Sequence, residues 1–235
     1  MEGGTMESYM NRISNTGIVP VVKILEKEDA YPLAKALLNG GIDVIEVTYR
    51  SEHATSAIQT ISEQLSDMLV GAGTVLSVEQ AKEAVQAGAK FIITPGFNTK
   101  VVQWCLDHDV EVYPGVSTAS EVEMALSMGL TQLKFFPAES SGGAKKLKDL
   151  SAPYANVHFM PTGGINTKNM HDYLSLPNVE AIGGSFMLPN DLVVAKDWDG
   201  IEALSRSAIK SLLDFQLIHV GINTNSPEES KLVTD

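Results

Sequence analysis

The sequence predicts an α/β protein built as a single (β/α)8 TIM barrel. Eight short apolar runs rich in β-branched residues recur along the 235-residue chain, and their starts lie 20 to 26 residues apart. Helical patterns fill the intervals between these runs. Strands and helices that alternate in this way, at this chain length, are typical of one closed barrel. The alternative, an open doubly wound sheet, fits the near-regular spacing less well.

The predicted strands are bounded by glycine, proline and polar turn residues. In order, they cover residues 17–24, 43–48, 69–74, 91–96, 111–116, 132–138, 158–164 and 181–187. Three of the intervening helices carry their own start or stop signals. The helix that starts at Asp29 ends at a pair of glycines, Ser77 and Gln80 are spaced for a capping box, and residues 117–129 repeat the pattern.

The chain divides into three segments by composition. Residues 1–14 are predicted to be an N-terminal extension, whose glycine-rich start resembles a cloning scar. Residues 15–214 form the barrel, since no linker interrupts them. Residues 215–235 are predicted to form a tail, in which 215–222 have the pattern of one added strand and the polar residues 223–235 are expected to be partly disordered.

Charge and cysteine content exclude several classes of function. Seventeen basic and 29 acidic residues give a net charge of −12, which argues against a nucleic-acid partner. No run approaches the roughly 18 apolar residues of a membrane span. The single cysteine, Cys105, excludes a disulfide framework and favours the cytoplasm. The five histidines lack the spacing of a metal pair, so neither a metal nor a cofactor is expected.

The second predicted strand carries polar residues on one face. Because side chains alternate along a strand, Glu46, Thr48 and Arg50 share the face opposite Ile45 and Val47. In a barrel the apolar face meets the helices, so the polar set would line the interior near the C-terminal mouth. Such charges are costly there unless they pair or bind a ligand. The alternative is a purely structural ion pair.

Lys134 is the one charged residue of the sixth predicted strand, and it shares a face with Phe136. A dry barrel interior favours the neutral amine of a lysine, and that amine is a nucleophile toward carbonyl groups. The product of such an attack is a Schiff base. The alternative is a lysine that extends to solvent at the strand end.

Lys134 and Glu46 are suited to the same chemistry. A Schiff base with a 2-keto acid needs a proton moved beside the imine carbon, and a carboxylate moves it directly or through water. Arg50 is suited to hold the substrate carboxylate with two parallel hydrogen bonds. Thr48 and Thr74 supply hydroxyls at strand ends, although Thr74 is also a common type of turn residue.

Two glycine-rich turns follow the seventh and eighth predicted strands. They contain Gly163 and Gly164 in one turn, and Gly184 with the hydroxyl of Ser185 in the other. Loops after these two strands are frequent phosphate sites in barrels of this kind. Each turn alone is equally explained as a simple chain reversal.

Seven motifs in order then carry a resemblance to a known family. They are Gly17-Ile-Val-Pro-Val-Val, Val44-Ile-Glu-Val-Thr-Tyr-Arg50, Gly71-Ala-Gly-Thr-Val75, Thr94-Pro-Gly96, Lys134-Phe-Phe-Pro-Ala-Glu139, Pro161-Thr-Gly-Gly-Ile165 and Ile182-Gly-Gly-Ser185. Together they resemble the 2-keto-3-deoxy-6-phosphogluconate aldolases, also called 4-hydroxy-2-oxoglutarate aldolases. The resemblance covers residues 15 to 214.

The resemblance implies a class I, metal-independent aldolase without a cofactor, which works as a cytoplasmic homotrimer on small 2-keto acids. It implies that Lys134 forms the Schiff base with pyruvate and that Glu46 moves the protons. Thr48 and Thr162 are also expected to contact the substrate, and the resemblance assigns substrate binding to Arg50, Thr74, Pro95, Phe136, Gly163, Gly164, Gly184 and Ser185. The last four of these would surround the substrate phosphate.

The sequence departs from the family pattern in two places. Lys23 stands where relatives are often apolar, and alternation from Val21 directs it inward, near the aldehyde half of a substrate. His219 lies in a tail that resembles the first strand of a glyoxalase-type domain but is too short to form one.

The preferred function is cleavage of 2-keto-3-deoxy-6-phosphogluconate, with 4-hydroxy-2-oxoglutarate as a further substrate. The alternatives are an aldolase for the phosphogalactonate epimer and a non-catalytic phospho-sugar-binding barrel.

Overall fold

The structure, a computed structural model, describes residues 9–213. Its strands are β1 Ile18–Val22, β2 Val44–Thr48, β3 Leu69–Gly73, β4 Phe91–Ile93, β5 Glu111–Tyr113, β6 Gly115–Val116, β7 Gln132–Phe135, β8 His158–Pro161 and β9 Ile182–Gly184. Its α-helices are α1 Tyr9–Thr16, α2 Ala30–Asn39, α3 Ala54–Gln64, α4 Val78–Gln86, α5 Thr99–Asp107, α6 Ala119–Ser127, α7 Gly143–Ser151, α8 Met170–Leu174, α9 Asn190–Ala195 and α10 Trp198–Leu213.

The strands form a closed parallel barrel, as the sequence predicts. One run of paired strands has the order β5-β4-β3-β2-β1-β9, and the other has the order β6-β7-β8. A bridge between Thr162 and Gly183 joins β8 to β9. The predicted fifth strand is split into β5 and β6 at Pro114, whose nitrogen carries no hydrogen to donate. The Pro114 carbonyl still accepts a bond from the Lys134 nitrogen at 3.0 Å, so the two halves close the ring.

The lower half of the barrel interior is packed with apolar side chains. Val19, Val44, Leu69, Phe91 and Tyr113 belong to one buried cluster inside the ring. Gly71 makes room for this packing, because a Cβ atom there would lie 2.1 Å from the Phe91 ring. The barrel is therefore a filled core at this end, and polar chemistry is confined to the opposite end.

Helix α1 closes the N-terminal end of the barrel. Ile13 is 1% exposed and belongs to the interior cluster. Arg12 binds the Asp43 carboxylate at 2.8 Å and also donates to the Asp67 carbonyl. The domain boundary predicted at residue 15 thus falls within a helix that packs on the barrel. The amphipathic spacing of 9–16 fits that packing, and the predicted tail, 215–235, lies outside the described residues.

The predicted helices all occur, with small differences in their caps. Ser77 caps α4 by accepting a bond from the Gln80 nitrogen at 3.2 Å. The Gln80 side chain accepts from the Leu76 nitrogen instead of completing a capping box. A full capping box forms in α6 between Thr118 and Glu121. Within residues 9–213, none of the helices has the length and apolar character needed to cross a bilayer.

Candidate active site

Lys134 and Glu46 meet inside the barrel, above the apolar core. The Lys134 ammonium donates to both oxygens of the Glu46 carboxylate, at 3.1 Å and 3.4 Å. Lys134 on β7 is 4% exposed, and Glu46 on β2 is fully buried. Breaking such a buried pair by removing one partner typically costs about 3–5 kcal/mol of folding free energy. The strand alternation inferred from the sequence is therefore correct at both positions.

Gly73 provides the space that the Glu46 carboxylate occupies. A Cβ atom at Gly73 would lie 2.0 Å from Oε1 and 2.4 Å from Cγ of Glu46. Gly73 pairs with Thr48 in the parallel register of β2 and β3. Only a glycine at this position therefore leaves room for the candidate proton carrier.

Phe136 lies beside the lysine, as the alternation predicts. The Lys134 nitrogen is 5.4 Å from the centroid of the half-buried Phe136 ring. This distance is within the range of a cation–π contact. The ring also forms an apolar wall that keeps water from one side of the amine.

Thr48 and Arg50 form a connected pair at the end of β2. The buried Thr48 hydroxyl donates to the Val22 carbonyl at 2.7 Å and accepts from Arg50 Nε at 3.2 Å. The guanidinium is exposed, and its terminal nitrogens remain free to bind a ligand. Thr48 therefore fixes the direction in which Arg50 extends over the barrel mouth.

Thr74 has an unusual backbone conformation next to Gly73. Its φ is +54°, in the left-handed region that β-branched residues seldom adopt. Backbone strain of this kind costs on the order of 1–3 kcal/mol and tends to occur at functional sites. Thr74 is half-buried at the mouth, so both its predicted roles, turn residue and substrate ligand, fit this position.

Pro95 is held by a residue that the sequence analysis did not single out. The buried Thr94 hydroxyl donates to the Gly96 carbonyl at 2.7 Å and accepts from the Gly115 nitrogen at 3.4 Å. A Cβ at Gly115 would lie 2.3 Å from the Pro95 carbonyl carbon. Pro95 lines an open groove of about 650 Å³ together with Phe97. The feature of the sequence that could have identified Thr94 is its position in the Thr94-Pro-Gly96 motif.

The first glycine-rich turn depends on its glycines. Gly163 and Gly164 have φ angles of +106° and +82°. A Cβ at Gly164 would lie 2.6 Å from Cγ of Glu139. The Glu139 nitrogen donates to the Gly163 carbonyl at 3.1 Å, and its carboxylate accepts from the Tyr173 hydroxyl. Burial together with this carboxylate raises the pKa of Tyr173. Glu139 and Tyr173 thus hold this turn in place.

Thr162 and the second glycine turn face each other across β8 and β9. Thr162 is 5% exposed, and its hydroxyl has no hydrogen-bond partner among residues 9–213. A Cβ at Gly183 would lie 2.2 Å from that hydroxyl, so glycine is required opposite it. A buried hydroxyl without a partner is a ready donor or acceptor for a ligand. Gly184 is buried, whereas Ser185 is exposed.

Arg50 and Ser185 line one cavity. It has a volume of about 190 Å³. Lys23 and Asn190 supply its other polar side chains. Lys23, an exposed residue just after β1, therefore reaches the cavity that Arg50 and Ser185 share. Asn190, in the helix that follows β9, was not singled out from the sequence.

Cys105 is a core residue. Its side chain is fully buried in α5, and burial raises the pKa of its thiol to about 12. A thiol protonated at neutral pH is a poor nucleophile. Cys105 is therefore excluded from the chemistry at the mouth.

A buried amine that faces a carboxylate, at the C-terminal end of a (β/α)8 barrel, defines a class of enzyme that works through a lysine nucleophile. The comparisons with known proteins agree. The model of the KDPG and KHG aldolase family matches residues 9–204. The chain belongs to this family, which confirms the resemblance drawn from its motifs.

Named relatives are similar over most of the chain. The 2-dehydro-3-deoxy-phosphogluconate aldolase of Treponema pallidum is 44% identical over 205 residues, which are 87% of this chain and 98% of that one. The KHG/KDPG aldolase of Escherichia coli is 43% identical over 199 residues, 84% and 93% of the two chains.

A solved structure also superposes closely. The KDPG aldolase of Legionella pneumophila, captured with pyruvate as a covalent carbinolamine intermediate, has a TM-score of 0.82 and 40% identity. The match covers 85% of this chain and 97% of that chain.

Proposed function

We propose that this protein is a class I aldolase that reversibly cleaves 2-keto-3-deoxy-6-phosphogluconate to pyruvate and glyceraldehyde 3-phosphate. The observation that carries the proposal is the buried contact of 3.1 Å between the Lys134 amine and the Glu46 carboxylate. The named relatives from Treponema pallidum and Escherichia coli support the same activity.

Lys134 and Glu46 carry the reaction in this proposal. The Lys134 ammonium loses a proton to water, and the free amine attacks the C2 ketone to form a carbinolamine. The carbinolamine takes up a proton and loses water to give the protonated imine. Glu46 accepts the C4 hydroxyl proton, the C3–C4 bond breaks, and its electron pair passes into the protonated imine to form an enamine. The aldehyde leaves, Glu46 returns a proton to C3, and water releases pyruvate from the lysine.

The residues around the pair position the pyruvate half. Arg50 binds the C1 carboxylate with two parallel hydrogen bonds, and Thr48 directs its guanidinium. Thr74 assists in orienting that carboxylate, and Pro95 and Phe136 line the apolar side of the pocket. Support comes from the Thr48–Arg50 hydrogen bond and from the position of Phe136 beside the amine.

The glycine turns bind the phosphate end. Their backbone N–H groups are suited to a phosphate, and Ser185 adds a hydroxyl. The residues assigned are Gly163, Gly164, Gly184 and Ser185, with Thr162 as a hydroxyl ligand between this end and the imine. The positive φ angles of the first turn and the unpartnered Thr162 hydroxyl support this assignment.

A second substrate is 4-hydroxy-2-oxoglutarate, which the same steps would cleave to pyruvate and glyoxylate. The Escherichia coli relative, whose name includes both substrates, favours it. The phosphogalactonate epimer differs only at C4, where Glu46 acts, and it stays an alternative. A non-catalytic phospho-sugar-binding barrel has no use for a buried lysine and carboxylate, so we favour it least.

The test measures pyruvate release from 2-keto-3-deoxy-6-phosphogluconate, and a coupled lactate dehydrogenase assay monitors the pyruvate. The protein should turn over, and Lys134→Met should reduce the rate by at least about 1,000-fold. Added chelator should leave the rate unchanged, because the imine replaces a metal as electron sink. A rate that a chelator abolishes and zinc restores would contradict the proposal.

The remaining assignments concern assembly and location. We infer a homotrimer from the family resemblance, supported by the exposed side chain of Leu76 in the open groove that Phe97 also lines. Analytical ultracentrifugation would measure its mass. A cytoplasmic location is supported by the free, buried thiol of Cys105. Residues 15–214 remain the proposed barrel unit, to which α1 adds a cap.

A further inference from the structure

Lys23 and Arg50 line the cavity of about 190 Å³ at the barrel mouth, and neither has an anionic partner within residues 9–213. Arg50 makes its one side-chain hydrogen bond to the neutral Thr48 hydroxyl. The part of the chain that the structure describes contributes no acidic residue to the lining of this cavity. Two unpaired cations at one cavity stand out in a protein with a net charge of −12.

The strand register places Lys23 two residues beyond the level of Glu46. Val19 faces the barrel interior, whereas Ile18, Val22 and Ile24 pack against the helices. Lys23 therefore shares the inward side with Val19. Val21 pairs with Glu46 in the register of β1 and β2, so Lys23 falls level with Thr48. It thus extends from the layer just above the Lys134–Glu46 pair.

The second glycine turn faces the same cavity. Gly184 pairs with Pro20 across β1 and β9, and Ser185 lines the cavity with Lys23. The turn offers neutral donors only, from backbone N–H groups and one hydroxyl. Lys23 is the residue on that side of the cavity that brings a positive charge, and its flexible four-carbon stem lets the ammonium follow ligands of different length.

We propose that Lys23 is a specificity-determining residue, which binds the second anionic group of the substrate at the end remote from the C1 carboxylate. This inference rests on the proposed function, in which Arg50 already binds the C1 carboxylate. The shared chemistry is a terminal anion, either a phosphate monoester or a carboxylate. The protein then selects doubly anionic 2-keto acids over those that end in a neutral hydroxyl.

The test compares three substrates in the protein and in Lys23→Met. They are 2-keto-3-deoxy-6-phosphogluconate, 4-hydroxy-2-oxoglutarate and the neutral-ended 2-keto-3-deoxygluconate. Losing one charge-assisted hydrogen bond should raise KM about 10- to 100-fold for a substrate with a terminal anion. We expect kcat to change less than about threefold, and KM for the neutral-ended substrate to stay unchanged.

The three substrates also separate the two sources of the anion. A KM effect on the phosphorylated substrate alone assigns Lys23 to phosphate, and an effect on the diacid alone assigns it to carboxylate. Lys23→Arg should recover most of the affinity because it keeps the charge. Lys82→Met, at an exposed lysine on α4, is the matched control and should behave as the unaltered protein does. Equal KM changes for all three substrates, or none for any, would overturn the inference.

A binding measurement separates failure of this inference from failure of the proposed function. Glyceraldehyde 3-phosphate and glyceraldehyde are titrated calorimetrically into Lys134→Met, with and without Lys23→Met. No imine is needed for this readout. Loss of the preference for the phosphorylated aldehyde on removing Lys23 supports the inference even if turnover is absent. A preference that survives without Lys23 overturns its role in phosphate recognition.

Discussion

Gly73→Ala should damage catalysis through a single misplaced carboxylate. The added Cβ would lie 2.0 Å from Oε1 of Glu46, whereas ordinary contact begins at 3.4 Å. The carboxylate must therefore retreat by more than 1 Å from its contact with Lys134. A displacement of this size at a reacting group costs about 100-fold in rate. Overpacking at such a position also costs about 1–3 kcal/mol of folding free energy.

The assay for Gly73→Ala is pyruvate release, measured below the melting temperature found by circular dichroism. The matched control is Gly71→Ala on the same strand, whose Cβ would meet the Phe91 ring at 2.1 Å. That variant should lose stability to a similar extent but keep kcat within a few fold, because Glu46 is not displaced. Folded Gly73→Ala with an unchanged kcat would refute the reasoning.

Three further predictions concern single side chains. Glu46→Gln should lower kcat about 100- to 10,000-fold, yet pyruvate should still be trapped on Lys134 by borohydride; loss of trapping would place Glu46 in imine formation instead. Thr48→Val removes the hydroxyl that directs Arg50, so its KM should rise about 10-fold. Thr48→Ser keeps the hydroxyl, so its KM should stay near that of the unaltered protein, and steady-state kinetics on both variants measures the difference. Burial raises the pKa of Cys105 to about 12, so its thiol stays protonated at pH 8. Iodoacetamide should therefore label Cys105 only after unfolding, and peptide mass spectrometry measures the labelling.

Strand alternation and spacing were enough to predict most of this fold. The interval between apolar runs gave eight strands, and the closed parallel order of the structure follows that prediction. The break at Pro114 and the packing of α1 were not predicted. Both depend on tertiary contacts: Ile13 enters the interior cluster, and Arg12 binds residues 31 and 55 positions away.

The candidate site divides in the same way. Alternation placed Glu46 and Lys134 on inward faces, because the period of a strand alone decides which side chains share a face. The space that Gly73 leaves for Glu46, and the hold that Tyr173 has on Glu139, depend on contacts between distant segments. Asn190 was missed for that reason, since its own sequence neighbourhood carries no sign of the cavity.

The proposed reaction depends on an imine between Lys134 and a 2-keto acid, and borohydride traps that imine as a stable adduct. The protein is incubated with pyruvate, reduced with borohydride and mapped by peptide mass spectrometry. We expect one reduced pyruvate adduct, on Lys134, that is absent from Lys134→Met. An unmodified Lys134 in folded protein, or an adduct on another lysine, would contradict the proposed reaction.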